Sequence, residues 1–93
     1  MMFEWDENKA VLNLSKHGVS FEEAGTVFDD SFFLAYPDSD HSVDEARFII
    51  LGISSEWRVL VVAYSERSDD IRIITAREAD SREKRFYEEE KFK

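Results

Sequence analysis

Three apolar runs in the second half of the chain dominate its hydrophobic pattern. They occupy residues 48–53, 57–65 and 71–75, and each is rich in β-branched and aromatic side chains, which is typical of strands. The polar segments between them, 54–56 and 66–70, are too short to hold a crossover helix. Neighbouring runs must therefore pair as antiparallel hairpins, and the pattern predicts a meander.

A short strand and a first helix are predicted at the start of the chain. Residues 3–5 alternate between apolar and polar side chains, which indicates an edge strand. Asp6 is then suited to cap the start of a helix, and Gly18 to end it in the left-handed conformation. Lys16 and His17 precede that glycine, where positive charge interacts favourably with the helix dipole.

A second helix and a fourth strand complete the part of the chain before the meander. Ser20 and Glu23 have the spacing of a capping box. The polar residues 29–31 are expected to end that helix, because short polar side chains compete with helical hydrogen bonding. Residues 32–36 then predict a strand, which Pro37 closes.

A charged helix is predicted after the meander. Thr75 and Glu78 have capping-box spacing, so the helix is expected to begin near Arg77 and to be mostly solvated. Residues 1–93 thus form one domain of the α+β class, in the order β-α-α-β-β-β-β-α. The pattern places two N-terminal helices against one face of an antiparallel sheet, with a C-terminal helix after it.

The charge is divided unevenly along the chain. Residues 1–46 carry a net charge of −9, whereas residues 47–93 carry none and contain all seven arginines. The field of the whole molecule repels nucleic acid, so a surface for a polyanion must be a local arginine patch. The acidic half instead favours a basic protein partner.

Composition excludes several other classes of function. The chain has no cysteine, which excludes disulfides, thiolate catalysis and thiolate zinc sites. No apolar run approaches the roughly 20 residues of a membrane span, and no signal peptide is evident, so a cytoplasmic location is expected. Nucleotide-binding and zinc-protease motifs are absent, and no cofactor is predicted.

One loop has a partial resemblance to a calcium site. Residues 38–44 begin with the D-x-D-x-S pattern of such a loop. Val43 stands where the turn needs glycine, however, and Ile49 stands where a bidentate glutamate is required. We therefore predict no metal site here.

Several blocks of sequence together resemble one family. The first block is FEWDENKAVLNLSKHGVSFEEAGTVFDD, and the second is EARFIILGIS. The blocks LVVAYSER and IRIITARE follow, before a charged C-terminal segment. In this order and spacing, from Phe3 to about Tyr87, they resemble the BrnT family of type II toxins. The resemblance implies a RelE-like fold and an endoribonuclease that inhibits growth by cleaving RNA. It also implies a BrnA-like ribbon-helix-helix antitoxin, which neutralises the toxin and binds operator DNA to repress the shared operon.

The resemblance also implies the residues of an active site. Cleavage of RNA without a metal needs a base for the ribose 2′-OH, cations for the charge on the phosphorane, and an acid for the leaving oxygen. Either His17 or Glu66 is expected to transfer the proton. The remaining implied residues are cations. Four of them are implied to be catalytic, namely Lys16, Arg47, Arg67 and Arg77. Two are implied to bind substrate, namely Arg72 and Arg58.

Each of these side chains also has a structural interpretation. Lys16 and His17 suit the end of a helix whatever the function, and Arg67 in a polar turn is typical of a solvated side chain. Arg77 has the same parity as Ile71, Ile73 and Thr75, so strict alternation places it beside a partly buried face, where it can pair with an acid.

Two functions of different classes follow from these observations. The first is the metal-independent endoribonuclease described above. The second is a non-catalytic binding module that acts as co-repressor with a DNA-binding antitoxin, which the net charge of −9 favours. Convergence of the predicted cations on one concave surface would favour the enzyme, whereas scattering would favour the binding module.

Overall fold

The computed structural model describes residues 2–41 and 45–93. Its α+β class and order of elements are those predicted. None of the helices in the described residues is long and apolar enough to cross a membrane. The elements are β1 (Phe3–Glu4), α1 (Glu7–His17), α2 (Phe21–Thr26), a 3-10 turn (Val27–Asp29), β2 (Leu34–Pro37), a 3-10 turn (Ser39–His41), β3 (Arg47–Ile53), β4 (Val59–Arg67), β5 (Asp70–Glu78) and α3 (Ser81–Lys91).

The strands form one five-stranded sheet in the order β1-β5-β4-β3-β2. The predicted antiparallel meander is confirmed for β2 to β5. β1 is an edge strand as expected, but it runs parallel to β5, with Phe3 opposite Ile71 and Glu4 opposite Arg72. The sheet is therefore mixed rather than wholly antiparallel, because the chain leaves β1 through two helices before it enters the sheet at the opposite edge.

The two N-terminal helices cover one face of the sheet, as predicted. The caps predicted for α1 are confirmed, since the side chain of Asp6 accepts from the N–H of Lys9 and Gly18 has a φ of 69°. Burial of the apolar faces of α2 and the sheet builds the main core. Its buried members are Val19, Phe21, Ala24, Val27, Ile50, Leu60, Val62, Tyr64, Ile71, Ile73 and Ala76.

Asn13 closes the part of the β5 edge that β1 does not cover. Its side-chain nitrogen donates to the carbonyl oxygens of Ala76 at 2.8 Å and Val19 at 2.9 Å. The backbone N–H of Ala76 in turn donates to the side-chain oxygen of Asn13 at 3.1 Å. This amide is 6% exposed and satisfies the backbone groups that another strand would otherwise pair with.

The predictions for the C-terminal helix were wrong in two respects. β5 continues to Glu78, which pairs with Leu60, and α3 begins only at Ser81. The capping box is formed by Asp80 and Glu83, with both of its hydrogen bonds present. These residues have the same spacing as the pair at 75 and 78, and continued pairing with β4 selects the later one.

α3 is mostly solvated, as predicted, but it lies on the opposite side of the sheet from α1 and α2. Its Tyr87 is fully buried and belongs to a second core, with Leu51, Val61 and Ala79, on the opposite face of the sheet. The phenol of Tyr87 donates to Asp30 at 2.5 Å. Helices therefore cover both faces, and α3 covers only one end of its face.

Glu23 fastens the β3–β4 hairpin to α2 instead of completing a capping box. The hydroxyl of Ser20 accepts from the N–H of Glu23 at 3.0 Å, as predicted. The carboxylate of Glu23, however, accepts from Ser54 Oγ at 2.7 Å and from Arg58 Nε at 3.0 Å. The side chain of Glu23 is 9% exposed, so this ion pair is well shielded from water.

Two such ion pairs make the stability of the protein depend on pH. Hydrogen bonds from Arg58 hold the pKa of Glu23 below its ordinary value, and hydrogen bonds from Arg77 do the same for Glu83. A lowered folded-state pKa stabilises the protein above the unfolded value of about 4.3, and this contribution is lost as pH falls through the lowered value. We expect the free energy of unfolding to decrease below about pH 5.

Glu23→Gln tests the first of these contributions. It should lower the free energy of unfolding at pH 7 by about 2 kcal/mol, because Arg58 then faces a neutral amide, and it should flatten the loss of stability in acid. Urea unfolding at a series of pH values measures both effects. Glu22→Gln, at the exposed neighbouring position, is the control, and equal behaviour of the two variants would contradict the prediction.

Trp57 occupies a backbone conformation that its side chain disfavours. Its φ is +62°, in the left-handed region that asparagine and glycine adopt more readily. Trp57→Asn should therefore raise the free energy of unfolding by about 1 kcal/mol, measured by urea unfolding. A clear loss of stability would instead show that the indole packs usefully against the folded protein.

Candidate active site

One half of the α3 side of the sheet is not covered by α3 and carries arginines. Ser65 of β4 pairs with Arg47 of β3 on one side and with Arg72 of β5 on the other. Directly paired residues share a face of the sheet. Glu4 lies opposite Arg72 in the same row. We call this half the arginine face, and its cations are Arg47, Arg67, Arg72 and Arg77.

An irregularity in the sheet brings Arg72 and Arg77 to this same face. Ala63 lies opposite Thr75, whereas Tyr64 lies opposite Ile73. Ile74 is therefore an extra residue in β5, which is the arrangement of a β-bulge.

Because of the bulge, the side chain of Arg77 points to the face of the sheet opposite to the one that strict alternation predicts. Residues five apart in a regular strand point to opposite faces, but the extra residue restores Arg72 and Arg77 to one face. Arg77 lies opposite Val61 of the second core, while Ile71 and Ile73 belong to the main core. The prediction that Arg77 shares a face with Ile71 and Ile73 was therefore wrong.

Short side chains form the floor between these arginines. Ser65 lies in the row of Arg72, and Ala63 and Thr75 lie opposite each other in the row between Arg72 and Arg77. Strands are about 4.8 Å apart, so the Cα atoms of Arg47 and Arg72 lie roughly 10 Å from each other across Ser65. The hydroxyl of Ser65 is buried and has no hydrogen-bond partner among the described residues. The floor thus offers a polar atom between two guanidinium groups.

Acidic side chains pair with the arginines at the open end of the face. Arg67 Nε lies 3.4 Å from a carboxylate oxygen of Glu45 and 3.9 Å from one of Glu4, and Arg72 lies 3.8 Å from Glu4. These side chains are about 31–52% exposed. Exposed pairs of this kind contribute little to stability, so a polyanion can exchange for the carboxylates.

Arg77 is held more firmly. Its two terminal nitrogens each donate to an oxygen of Glu83 at 2.8 Å. This fork fixes the plane of the guanidinium, and the same planar geometry suits a phosphate group. Glu83 also caps α3, so the orientation of Arg77 depends on that helix.

Tyr36 is a further polar residue on this face. It lies opposite Ile49, which is two residues from Arg47 and shares its face. Burial raises the pKa of Tyr36, Glu83 adds to the increase, and Arg77 opposes it. The phenol is therefore a hydrogen-bond donor at neutral pH. Sequence reasoning missed it because alternation alone does not show which face a short edge strand presents.

Lys16 and His17 lie apart from the arginine face. They are exposed in the last turn of α1, which packs on the other side of the sheet. Asn13, one helical turn earlier, is bonded to Ala76, the neighbour of Arg77. Lys16 and His17 therefore approach the arginines only around the outer edge of β5.

Glu66 and Arg58 also lie away from the arginines. Glu66 follows Tyr64 by two residues, and its charge raises the pKa of that phenol together with burial, the larger cause, so it lies on the α2 side. Arg58 is bound to Glu23 and donates to the carbonyl oxygen of Gly18 at 3.0 Å. Four of the eight implied residues thus share one face, and their roles stay predictions.

The described residues contain no group of three or more histidine, aspartate or glutamate side chains that could hold a metal ion. In the loop considered as a calcium site, Nδ1 of His41 lies 3.1 Å from Asp38. Residues 42–44 of that loop lie outside the described residues.

Comparisons with known proteins identify the family. A family model described as "Ribonuclease toxin, BrnT, of type II toxin-antitoxin system" matches residues 5–83. The crystal structure of the Brucella abortus ribonuclease toxin BrnT is similar, with a TM-score of 0.69 and 21% identity over 87% of this chain and 99% of that chain. This likeness confirms the expected fold, while no curated protein matches. Because the family model covers most of the chain, the chain belongs to the BrnT family of ribonuclease toxins of type II toxin-antitoxin systems.

Proposed function

We propose that this chain is an endoribonuclease that cleaves RNA on the arginine face without a metal ion, and that a ribbon-helix-helix antitoxin neutralises it. The observation that supports this proposal most strongly is the bulge at Ile74. It brings Arg72 and Arg77 to one face, although their odd spacing in a regular strand would separate them. Bulges that redirect side chains are common beside active sites.

The arginines supply the electrostatic part of the reaction. When the ribose 2′-oxygen attacks the phosphorus, negative charge accumulates on the phosphorane oxygens. Arg72 binds these oxygens once RNA displaces Glu4. Arg77 binds them through guanidinium N–H groups that do not contact Glu83, and Arg47 binds the neighbouring phosphate across Ser65. RNA displaces Glu4 and Glu45 from the exposed arginines as it binds.

Proton transfer is assigned to side chains at the border of the face. Both candidates expected from the sequence lie on the α2 side of the sheet, and we favour His17 because Asn13, one helical turn earlier, is bonded to Ala76, the neighbour of Arg77. His17 reaches the substrate around the edge of β5, beside Arg77. His17 takes the proton from the ribose 2′-OH, and the phenol of Tyr36 gives a proton to the departing 5′-oxygen.

The acidity of the chain is consistent with a local site. The net charge of −9 belongs to residues 1–46, and these supply both helices of the opposite face. Glu4 and Glu45 nevertheless lie among the arginines, so the arginine face attracts RNA only locally, once these carboxylates are displaced. The acidic first half of the chain suits a basic partner such as a DNA-binding antitoxin, which would repress the shared operon with this chain as co-repressor.

Inducible expression in a bacterial host tests the proposed function. We expect the chain alone to arrest growth and deplete total RNA, and we expect co-expression of the neighbouring reading frame to relieve both effects. Normal growth and intact RNA, at good yield of folded protein, would contradict the enzyme and favour the non-catalytic co-repressor.

A further inference from the structure

Trp57 is an aromatic side chain that the fold itself does not use. Its indole is 86% exposed at the tip of the β3–β4 hairpin. Its φ of +62° is unfavourable for a bulky residue. An exposed tryptophan in such a conformation adds little to folding, whereas tryptophan is enriched among the residues that dominate binding at protein interfaces.

The turn that carries Trp57 is held rigidly against α2. The backbone N–H of Trp57 donates to the carbonyl oxygen of Ser54 at 3.0 Å, and Ser54 is anchored through its hydroxyl to Glu23. The N–H of Ser55 donates to Thr26 Oγ1 at 2.8 Å. Binding of a partner to the indole therefore costs little conformational entropy, because this loop is already ordered.

A cleft lies directly beside the indole. It has a volume of about 360 Å³ and is mostly apolar, with Ile53 and Tyr87 among its lining residues and Asp29 and Lys91 at its polar positions. Asp30 also lines the cleft, and the ammonium of Lys91 lies 5.4 Å from the ring centre of Phe32. The cleft thus offers an apolar pocket with a tryptophan wall.

The charge around the cleft selects its occupant. Asp29 is exposed on one side of the cleft. Glu56 is exposed beside Trp57 and lines an adjoining cleft that also contains Glu22. Acidic groups bordering an apolar pocket repel RNA and attract a basic polypeptide.

We propose that the Trp57 cleft anchors the antitoxin, which inserts an apolar side chain beside the indole and places lysine or arginine against Asp29 and Glu56. This inference rests on the proposed function, because it takes the antitoxin as the partner. The nearest arginine of the face, Arg77, lies opposite Val61, which is four residues or roughly 13 Å along the chain from Trp57. The anchor is therefore separate from the chemistry, and its loss leaves cleavage of RNA by the free chain unchanged.

Titration of the full chain with purified antitoxin, the product of the neighbouring reading frame, tests the anchor. We expect Trp57→Asn and Asp29→Lys each to raise the Kd about tenfold or more. Matched controls are Leu12→Gln, at a position 68% exposed, and Glu88→Lys, at an exposed position of α3; both should stay within about twofold of the unchanged chain. Trp57→Asn suits the left-handed backbone, so it should not unfold the protein.

Cleavage of RNA by the same preparations separates the two proposals. Trp57→Asn should cleave RNA at the unchanged rate but resist inhibition at antitoxin concentrations that silence the unchanged chain. An unaltered Kd for both variants would overturn the anchor. Failure of the antitoxin to bind the unchanged chain would also overturn it. So would dimerisation of this chain that depends on Trp57 while antitoxin binding is unaffected. Trp57-dependent binding by a chain that cleaves no RNA would support the anchor while contradicting the enzyme.

Discussion

Arg72→Ala combined with Arg77→Ala is expected to lower the rate constant for RNA cleavage by about 1,000-fold or more. Removal of one preorganised donor to a developing oxyanion typically costs about 100- to 1,000-fold. Because both arginines bind the same phosphorane in our account, their combined loss should exceed either single loss. Single-turnover cleavage of a labelled RNA by the purified chain, freed of antitoxin, measures the effect.

The control for this experiment removes the same number of positive charges from arginines that lie outside the arginine face. Arg82 and Arg85 are exposed on α3, and their double replacement by alanine should leave the rate within about threefold. Arg77→Lys separates charge from geometry, because an ammonium cannot reproduce the planar fork. Near-normal activity of a folded Arg72→Ala, Arg77→Ala protein would remove the arginine face from the reaction.

Asn13→Asp is expected to lower the free energy of unfolding at pH 7 by about 3 kcal/mol or more. The substitution keeps the shape of the side chain. It replaces the nitrogen that donates to the carbonyl oxygens of Val19 and Ala76 with an acceptor. A buried carboxylate then faces two carbonyl oxygens that have lost their donor, and only the hydrogen bond from the N–H of Ala76 remains at this edge of β5. Urea or thermal unfolding measures the loss.

The pH dependence of this variant identifies the cause. Burial and the facing carbonyl oxygens raise the pKa of the introduced carboxyl in the folded state. The penalty is therefore largest above that raised value and disappears as pH falls below the unfolded value of about 3.9. Asn8→Asp, at an exposed position near the start of the same helix, is the control and should be nearly neutral. Similar losses for both variants would contradict the role assigned to Asn13.

Local patterns in the sequence were sufficient to predict most of the elements. Alternation identified the meander, and the caps at Asp6, Gly18 and Ser20 are present as expected. These features depend on residues close together in the chain. The parallel pairing of β1 was missed, because contacts between residues 68 positions apart leave no local pattern.

The site depended on a feature that alternation cannot reveal. A bulge adds one residue to one strand, and only the pairing of Ala63 with Thr75 and of Tyr64 with Ile73 shows where it lies. Without it, Arg72 and Arg77 are assigned to opposite faces. The family resemblance implied both arginines as site residues, but their arrangement on one face required the fold.

The C-terminal helix shows a second limit of sequence reasoning. Two capping-box spacings overlap at residues 75–83, and strand pairing decides between them. The helix also has few apolar residues, yet one of them, Tyr87, is fully buried. One large side chain with a satisfied hydroxyl is enough to dock a helix, although it contributes little to a hydrophobic periodicity.

The chemistry of the cleaved ends tests the central claim most directly. The purified chain, freed of antitoxin, is incubated with a defined RNA in excess EDTA, and the product ends are mapped. Attack by the ribose 2′-OH under arginine stabilisation predicts 2′,3′-cyclic phosphate and 5′-hydroxyl ends at an undiminished rate. Products with 5′-phosphate ends, or cleavage that requires an added divalent cation, would contradict the account.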